Sequence, residues 1–441
     1  MRRYVMIGSG VASIAASEAI RRVDPTGEIL MIGDEVHGYY SRPGLAYYLT
    51  GELAEQHLFP FGDPDYRKLN IHRMQARVTR IYPEQHSLRL ENGATLLYDR
   101  LLIAVGAEAQ MVNLPGMKLD GVVKLDNLDD ARCIIRQARR GRTAVVVGGG
   151  ITALEIVEGL ISRRVKTHYF LRGDRYWSNV LDETESRIVE QRLVEDCVKL
   201  HFHTELEEIL GSNGHVVGVR TKDGRKIPCD MVAIAIGIRP RKELAEASGI
   251  QVERGILVSE TMQSSAPDVF SAGDIAQVYD PVSGKSVLDS LWGPAREQGT
   301  AAGMNMAGIT SVYRKIIPFN VTRLATLTTT IIGTVGRGED EDVVGIVRGD
   351  SESWRQLPDA IAAQADFDVN RLRVLVGKDT LLGAIVMGDQ TLSRPLQRLI
   401  TEQADITPIR QQLVQPRAPL VDVLADFWSQ WQVGHALRTH E

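Results

Sequence analysis

The chain has few cysteines. Only three of its 441 residues are cysteine, Cys133, Cys197 and Cys229, and they lie far apart. Such spacing excludes a C-x-x-C redox pair, a zinc quartet and an iron–sulfur ligand set. We interpret all three cysteines as structural, with Cys133 in a helical stretch, Cys197 in the amphipathic run 185–199 and Cys229 at a strand start. Any redox chemistry therefore requires a bound organic cofactor.

Long apolar runs and an excess of charge of one sign are also lacking. The chain carries 56 acidic and 51 basic side chains, a net charge of −5. Nucleic acid and anionic membranes attract strongly cationic surfaces, so neither is an expected partner. No apolar run reaches the roughly 18 residues that a membrane span needs, and the one after Met1 is too short for a secretory signal. We expect a soluble cytoplasmic protein without membrane insertion.

A pattern of strand, glycine turn and helix occurs twice. The segment VMIGSGVAS at 5–13 is echoed by VVVGGGITA at 145–153, and GATLLYDRLLIAVG, ending at Gly106, is echoed by GRKIPCDMVAIAIG, ending at Gly237. A glycine turn that opens a helix lets backbone approach a pyrophosphate at the positive helix end. The sequence therefore predicts an α/β fold with two Rossmann-like dinucleotide-binding modules.

The chain changes character from about Pro318. Segments 324–336 and 372–387 are rich in threonine and valine and predict strands, the second being two strands joined by a turn at 377–379. At 416–433 the apolar residues recur at helical spacing, which predicts an amphipathic terminal helix. Its apolar stripe comprises Leu420, Val423, Leu424, Phe427, Trp428 and Trp431. We expect a third, mixed α/β domain that ends in this helix.

Several residues near these turns suit a nucleotide. Gly8 and Gly10 form the first turn, and Ser13 stands where a third small residue is usual. After the next strand, at 28–32, either Asp34 or Glu35 can accept the hydroxyls of an adenosine ribose, or both are solvated turn residues. Asp274, at the end of SAPDVFSAGD, can bind a sugar-like chain or cap a helix.

Together these motifs resemble the FAD-dependent pyridine-nucleotide oxidoreductases with two dinucleotide-binding domains. The matching segments are GSGVAS at Gly8, LLIAVGA at Leu101, GGGITALE at Gly148, IAIGIRP at Ile234 and SAPDVFSAGD at Ser265. The segments around Gly33–Pro43 and Trp292–Gln298 are most similar to the rubredoxin and ferredoxin reductases. The resemblance implies an FAD domain at 1–111 and 238–316, an NAD(P) domain at 112–237 and a C-terminal interface domain at 317–441.

The resemblance also assigns residues. Its FAD-binding residues are Gly8, Gly10, Ser13, Glu35, Arg42, the backbone at Val78, Gly106, Ala295 and, on the ribitol, Asp274. The nicotinamide nucleotide falls to Gly148, Gly150, Ala153 and Gly237. Glu155, in the first turn of the second helix, matches a carboxylate that orients the nicotinamide, although the helix dipole alone also favours an acid there. Trp292, which starts a helix aimed at the flavin, either flanks the ring or belongs to the core.

Four departures from the family pattern affect function. No cysteine lies near Ser41, which excludes reduction of disulfides by a thiol relay. Tyr47 stands where many reductases carry a lysine partner for the active-site glutamate, and Asp126 stands where an arginine contacts FAD. Leu171 replaces the acid that accepts ribose hydroxyls, and Arg172 and Arg175 follow it. Guanidinium groups suit a 2′-phosphate, so NADPH is slightly favoured over NADH.

The expected function is an FAD-dependent NAD(P)H reductase that passes electrons to a small iron–sulfur or rubredoxin-type carrier. Two alternatives are an oxidase or quinone diaphorase, and a flavin-bearing subunit of a larger electron-transfer complex. The family is commonly dimeric through its third domain. We therefore expect a homodimer in which the apolar stripe docks on the second subunit, the alternative being that it packs on its own chain.

Overall fold

The computed structural model describes residues 1–281, 284–333, 335, 370–415 and 419–438. Two compact units divide the described chain. The first contains Met1–Arg172 and Cys197–Lys315, and the second contains Gly173–Asp196 with the described residues from 316 onward. Residues 173–196 thus pack with the C-terminal part of the chain, although the expected NAD(P) domain, 112–237, includes them. The three-domain division itself stays a prediction.

The first unit contains two parallel sheets of five strands. In spatial order the first comprises β19 (Val269–Ser271), β7 (Arg100–Ile103), β1 (Arg3–Ile7), β2 (Glu28–Gly33) and β3 (Ile71–Gln75). The second comprises β12 (Lys199–His201), β11 (Lys166–Phe170), β10 (Thr143–Val147), β16 (Met231–Ile234) and β9 (Val122–Val123). Two parallel sheets with glycine turns after β1 and β10 confirm the expected two-module α/β fold.

Smaller sheets complete the first unit. They comprise β4 (Val78–Tyr82), β5 (Ser87–Leu90) and β6 (Thr95–Leu97); β8 (Ala107–Ala109) and β17 (Ile238–Pro240); β13 (Leu206–Ser212), β14 (His215–Thr221) and β15 (Lys226–Pro228); and β18 (Ile256–Leu257), β20 (Ala276–Asp280) and β21 (Lys285–Leu288). Strands β8 and β17 pair antiparallel directly after Gly106 and Gly237. The two connections between the modules therefore run side by side.

The helices of the first unit are α1 (Val11–Val23), α2 (Leu45–Thr50), α3 (Asp63–Lys68), α4 (Leu128–Gln137), α5 (Ile151–Ser162), α7 (Glu243–Ala247) and α8 (Trp292–Ala307). Short 3₁₀ helices span Glu55–Leu58 and Pro83–Gln85. Helices α1 and α8 pack unusually closely: a Cβ on Gly299 would lie 2.2 Å from the carbonyl oxygen of Ala12, and one on Gly303 2.4 Å from that of Ala16. Small residues at these four positions therefore fix α8 against α1.

Among its described residues, the second unit contains an antiparallel sheet and four helices. Its strands, in spatial order, are β22 (Phe319–Leu324), β23 (Leu327–Gly333), β25 (Leu381–Met387) and β24 (Arg371–Val376), and its helices are α6 (Glu183–Glu195), α9 (Ser393–Thr401), α10 (Arg410–Leu413) and α11 (Leu420–Arg438). The predicted strand pair around the turn at 377–379 is confirmed. Part of the predicted strand at 324–336 lies outside the described residues, and the described strand is β23.

Two arginines hold α6 to this sheet. The guanidinium of Arg373 donates to the carboxylate of Glu185 at 2.8 Å, and that of Arg371 donates to Asp182 at 2.7 Å. Asp182 and Glu185 also cap the start of α6 reciprocally. Because Glu185 is fully buried, its charge needs such partners. These ion pairs explain why 173–196 belongs to the second unit.

The terminal helix packs on its own unit. Leu424 and Phe427 are buried in the second unit's core, and Trp428 and Trp431 pack against that core while stacking on each other at 5.5 Å. The guanidinium of Arg398 lies 5.6 Å from both rings. The structure therefore shows part of the apolar stripe packed on its own chain, while Leu420, Val423, Trp428 and Trp431 stay only partly buried. Docking of the stripe on a second subunit stays a prediction.

One cysteine also departs from expectation. Cys197 lies beyond the end of α6, at a positive φ of 65°, and is exposed rather than part of a helix. Cys133 lies in α4 as expected. Cys229 is buried, and burial raises the pKa of its thiol to about 12, which makes it unreactive at neutral pH.

Candidate functional site

The first glycine turn follows β1. Gly8 has a φ of +111°, and a Cβ there would lie 2.2 Å from the carbonyl oxygen of Ala104. The hydroxyl of Ser13 donates to the carbonyl oxygen of Gly8 at 2.7 Å. The helix start that follows Gly10 carries amide groups without partners in the helix itself, which suits a phosphate. The side chain of Ser13 is small enough to lie next to the turn, and its hydrogen bond stabilises the turn.

The acid after the second strand is Glu35. Its carboxylate accepts from the guanidinium of Arg42 at 2.5 Å and from the hydroxyl of Tyr40 at 2.7 Å. Arg42 also donates to the carbonyl oxygen of Asp126 at 2.6 Å. Asp34 instead pairs with Arg77 at the surface. Of the two candidates for the ribose, Glu35 is therefore the one that the structure brings together with Arg42.

Asp126, which replaces an expected arginine, is itself neutralised by an arginine. Its side chain is 1% exposed, and it accepts from the guanidinium of Arg241 at 2.9 Å. The ammonium of Lys124 lies 3.7 Å away. The sequence offered no local signal for this pairing, because Arg241 follows Asp126 by 115 residues.

The turn with Asp274 meets both α1 and α8. Gly273 has a φ of +81°, and a Cβ there would lie 3.5 Å from that of Ala12 and 3.8 Å from that of Ala295. The amide of Gly273 donates to the side-chain carbonyl of Gln298 at 2.8 Å. Gly273 therefore brings the backbone before Asp274 against the start of α1, just after the first glycine turn.

Trp292 begins α8, as expected. Its indole N–H donates to the hydroxyl of Tyr39 at 3.1 Å, and the guanidinium of Arg296 lies 5.7 Å from its ring centroid. The ring is only partly buried. Trp292 is thus not fully part of the core, and Tyr39 fixes its orientation. Its place beside a flavin ring stays a prediction.

Buried polar atoms without partners lie in the same region. Gln298 and Asp289 are 0% and 1% exposed. The amide nitrogen of Gln298 and both carboxylate oxygens of Asp289 have no hydrogen-bond partner among the described residues. Because unpaired buried polar groups cost free energy, they indicate a ligand with hydroxyl groups or an unusual charge state. A ribityl chain fits the Gln298 amide and Asp274.

The other assigned FAD residues fall in the same module. Val78 begins β4 and pairs with Leu90. Gly106 follows β7 with a φ of +69°, and its carbonyl oxygen accepts from the amide of Arg241 at 3.1 Å. Val78 thus lies in an edge strand of its sheet, and its cofactor contact stays a prediction.

The second glycine turn repeats the geometry of the first. Gly148 has a φ of +149°, and a Cβ there would lie 2.0 Å from the carbonyl oxygen of Ala235 and 3.1 Å from the Cβ of Ala153. Gly237 has a φ of +125°. A small pocket lies at this turn, lined by Ala109, Leu125, Gly150, Thr152, Ile234, Ala235, Gly237 and Ile238. Gly150 and Gly237 therefore border the same cavity.

Glu155 lies further along α5 than expected. The helix begins at Ile151, so Glu155 is its fifth residue and not part of the first turn. The side chain is buried, with 9% exposed. Helix α5 packs on α2, where a Cβ on Gly159 would lie 2.8 Å from that of Leu49. The helix dipole acts mainly on the first turn, so it explains a buried acid at this fifth position poorly, and the role of Glu155 stays a prediction.

The position of the missing ribose acid is occupied differently. Leu171 is 1% exposed, whereas Arg172 is exposed. Arg175 is held by the carboxylate of Asp174 at 3.2 Å and by the carbonyl oxygen of Ser178 at 3.4 Å. The two arginines are therefore not equivalent: Arg172 faces solvent at the strand end, and Arg175 is tied to its own loop.

A neighbouring loop adds charges that sequence reasoning missed. The amide of Thr204 donates to the carbonyl oxygen of Leu171 at 3.1 Å. Beside it, the carboxylate of Glu205 accepts from the ammonium of Lys222 at 2.7 Å. Lys222 first, and Arg172 to a lesser extent, lower the pKa of Glu205. These residues lie in connections between different strands, so no local motif could have predicted that they are close.

The described residues form neither a metal site nor a membrane span. Among residues 1–281, 284–333 and the described parts beyond, no three His, Cys, Asp or Glu side chains are placed to hold a metal ion. No helix in the same ranges is long and apolar enough to cross a membrane.

Known proteins share both sequence and fold with this chain. The family model described as pyridine nucleotide-disulphide oxidoreductase matches residues 2–299. The ferredoxin–NAD(+) reductase component of the biphenyl dioxygenase system of Paraburkholderia xenovorans (strain LB400) is 31% identical over 357 residues, which is 80% of this chain and 85% of that protein. The NADH-dependent phenylglyoxylate dehydrogenase subunit epsilon of Aromatoleum evansii is 25% identical over 97% of this chain and 98% of its own length.

A solved structure gives the fold independently. The covalent putidaredoxin reductase–putidaredoxin complex matches with a TM-score of 0.81 at 23% identity, covering 96% of this chain and 98% of the matched one. At that identity the likeness concerns the fold. It agrees with the two parallel sheets and their glycine turns.

Proposed function

The chain belongs to the pyridine nucleotide-disulphide oxidoreductase family, and from that membership we propose an NAD(P)H-dependent flavoprotein reductase that delivers electrons to a small redox carrier. The single observation that carries the proposal is the pair of glycine turns at Gly8 and Gly148, each in contact with a carbonyl oxygen of the adjacent strand end. Two such turns give the chain two dinucleotide sites. One suits FAD and the other suits the nicotinamide nucleotide.

The first site is assigned to FAD on three supports. Gly8, Gly10 and Ser13 are proposed to form the phosphate turn, Glu35 with Arg42 to hold the adenosine ribose, and Asp274 to hold the ribityl chain. When bound, FAD accepts a hydride from a nicotinamide and releases electrons to an acceptor. The positive end of α8, which begins at Trp292, stabilises negative charge near that end of the site.

The second site is assigned to the nicotinamide nucleotide. Gly148, Gly150 and Ala153 provide its turn, and Gly237 borders the same pocket. Glu155 is proposed to orient the nicotinamide ring through its carboxylate. Burial of that carboxylate excludes competing water and fixes its direction, which are the conditions under which orientation contributes to rate.

The preferred nucleotide is proposed to be NADPH, by a small margin. The buried Leu171 cannot accept ribose hydroxyls, and the exposed Arg172 can pair with a 2′-phosphate. Glu205 opposes this preference, because its carboxylate lies in the same charged cluster. Anaerobic titration of the FAD-loaded protein with NADH and NADPH separately measures the preference directly as a ratio of kcat/KM values.

The acceptor is proposed to be a small iron–sulfur or rubredoxin-type protein. This rests on the name of the Paraburkholderia relative, a ferredoxin–NAD(+) reductase component, and on the absence of cysteine near Ser41, which leaves no thiol relay. The test is anaerobic reduction of a panel of ferredoxins and rubredoxins by NADPH. Faster reduction of oxygen to peroxide than of every carrier would instead assign an oxidase.

A second candidate function is a flavin-bearing subunit of a larger complex. The observation that favours it is the near-complete coverage of the Aromatoleum relative, which is itself a dehydrogenase subunit. Expression from the native source with an affinity tag separates the two. Co-purification of iron–sulfur subunits in fixed ratio, together with weak carrier reduction by the isolated chain, would favour the subunit.

The homodimer and the cytoplasmic location stay proposals that rest on resemblance. In the apolar stripe of α11, Leu424 and Phe427 are buried in their own unit, whereas Trp428 and Trp431 are only partly buried and are proposed to face the second subunit. Light scattering of the FAD-loaded protein measures its mass directly.

A further inference from the structure

Asp289 is a buried acid that the proposed reaction does not use. It lies between β21 and the start of α8, it is 1% exposed, and neither of its carboxylate oxygens has a hydrogen-bond partner among the described residues. Native proteins rarely leave a buried carboxylate without donors. An ionised carboxylate in this position would carry a large desolvation cost.

The charged groups that face Asp289 do not neutralise it. They are Lys315, Asp274, Glu297 and Asp280, three acids against one cation. The ammonium of Lys315 lies 3.8 Å from the carboxylate of Asp280, so its charge is shared with that acid. Burial first, and the three acids after it, raise the pKa of Asp289 to about 7, although Lys315 opposes the shift.

The location connects this acid to the flavin site. Asp274 is the residue assigned to the ribityl chain, and Asp289 precedes the first residue of α8, Trp292, by three positions. Helix α8 is held by Gly299 and Gly303 against α1, the helix that follows the first glycine turn. A charge on Asp289 is therefore felt where a flavin bound to Asp274 and α8 would acquire negative charge.

We propose that Asp289 is a buried proton-holding group of the flavin site, whose neutral form raises the midpoint potential of the bound FAD and whose ionised form lowers it. The inference rests on the assignment of FAD to the first module. Transfer of one hydride from NAD(P)H brings two electrons and one proton to FAD and leaves NAD(P)⁺. Asp289 exchanges no electrons in this step. It takes up a solvent proton only to the extent that reduction raises its own pKa.

The test compares the pH dependence of the midpoint potential in the wild-type holoprotein and in Asp289→Asn. For each unit by which reduction raises the pKa of Asp289, the two-electron midpoint potential at low pH lies about 30 mV higher relative to its value at high pH. The wild-type curve should therefore bend near pH 7 and fall more steeply above it. In Asp289→Asn, which is neutral at every pH, this bend should vanish. Superimposable curves would overturn the inference.

Glu297→Gln is the matched control, because it removes one negative charge from a more exposed position near the same helix end. Its curve should keep the bend, shifted slightly to lower pH since Glu297 raises the pKa of Asp289. Loss of the bend in Glu297→Gln but not in Asp289→Asn would show that Glu297, and not Asp289, is the titrating group. That result would contradict the inference.

A second measurement uses the wild-type protein alone, so it holds even when Asp289→Asn does not fold. Infrared difference spectra of the protein at pH 6 and pH 8 should show loss of one protonated carboxylic acid band on ionisation, and reduction should restore it near neutral pH. The absence of that band at pH 6 would overturn the inference. A protein that binds no FAD at all would instead contradict the proposed function.

Discussion

The two glycine turns have nearly the same backbone and different surroundings. At Gly8 and at Gly148 an added Cβ would lie 2.2 Å and 2.0 Å from a carbonyl oxygen of the neighbouring strand end. The first turn is braced by the hydroxyl of Ser13, and the second packs on the methyl group of Ala153. The backbone that approaches a pyrophosphate is thus common to both sites, so it cannot decide which nucleotide each one binds.

The difference lies after the second strand of each sheet. In the first module Glu35 is held by Arg42 and Tyr40 at 2.5 and 2.7 Å. In the second module the equivalent position is the buried Leu171, followed by the exposed Arg172. The comparison teaches that the first site is ordered by its own side chains, whereas the second is left open, as suits a nucleotide that exchanges on every turnover.

Substitution of alanine for the glycine at each turn should give the largest effect, because it should abolish binding of a different nucleotide in each variant. Gly8→Ala and Gly148→Ala each force a Cβ against backbone at a positive φ, a strain of roughly 1–3 kcal/mol before the clash is counted. We expect Gly8→Ala to lose FAD, and Gly148→Ala to stay yellow while losing reduction by NAD(P)H but not by dithionite. Absorbance spectra and anaerobic titration measure both.

The control is Gly141→Ala. Gly141 also has a positive φ, of +88°, but an added Cβ there meets open space. It should retain both FAD and reduction by NAD(P)H. Equal loss of FAD in Gly8→Ala and Gly148→Ala would mean that the turns share one structural role, contrary to the assignment of two separate sites.

Replacement of Glu155 by Gln should give the next largest effect. Loss of an orienting carboxylate can cost on the order of 100-fold in rate. We expect stopped-flow reduction of the flavin by NAD(P)H to slow by about that factor, with FAD content unchanged. Glu158→Gln, one turn further along α5, is the matched control and should reduce at the wild-type rate. An unchanged rate in Glu155→Gln would reject the orienting role.

Local features of the site could be predicted from the sequence. The strand–turn–helix at Gly8 and Gly148, the strand before Glu35 and the start of α8 at Trp292 each depend on neighbouring residues. A positive φ with no room for a Cβ requires glycine, so a glycine at such a position in the sequence indicates the backbone geometry.

Features that depend on residues far apart in sequence could not be predicted. Arg241 neutralises Asp126, Glu205 lies beside Leu171, and Asp289 is buried without a partner. Each feature depends on contacts between distant segments of the chain, which local sequence patterns do not encode. The packing of 173–196 with the C-terminal unit depends likewise on Arg371 and Arg373.

Arg172→Ala should sharpen the comparison by changing nucleotide preference. A charged hydrogen bond to a 2′-phosphate contributes about 1.5–3 kcal/mol, so the ratio of kcat/KM for NADPH over NADH should fall by roughly tenfold or more. Arg175→Ala should change the ratio less, because Asp174 and the Ser178 carbonyl already hold that side chain. A larger change in Arg175→Ala would show that the 2′-phosphate lies elsewhere.

The smallest effect concerns the pH dependence of the second sheet's stability. Burial, the neighbouring His201 and Lys199 lower the pKa of His168 from 6.5 to about 4. The unfolded chain therefore binds a proton at this residue as the pH falls below 6.5, whereas the folded chain does not until about pH 4. Stability should be lost as the pH falls through this window. In His168→Gln the denaturation midpoint should depend less on pH between pH 6.5 and 4.

For His168 the control is His57→Gln, an exposed position in the first module. It should leave the pH dependence of the midpoint as in the wild type. If His168→Gln has the same pH dependence as the wild type, the imidazole is not the group that titrates in this window.

Hydrogen–deuterium exchange of the FAD-loaded protein, with and without NADP⁺ or NAD⁺, tests most directly whether the two turns hold different nucleotides. The account predicts that the amides of 7–13 are already protected by FAD and do not change. New protection should appear at 147–155. Protection by the nicotinamide nucleotide at 7–13, or no change at 147–155 under saturating nucleotide, would contradict it.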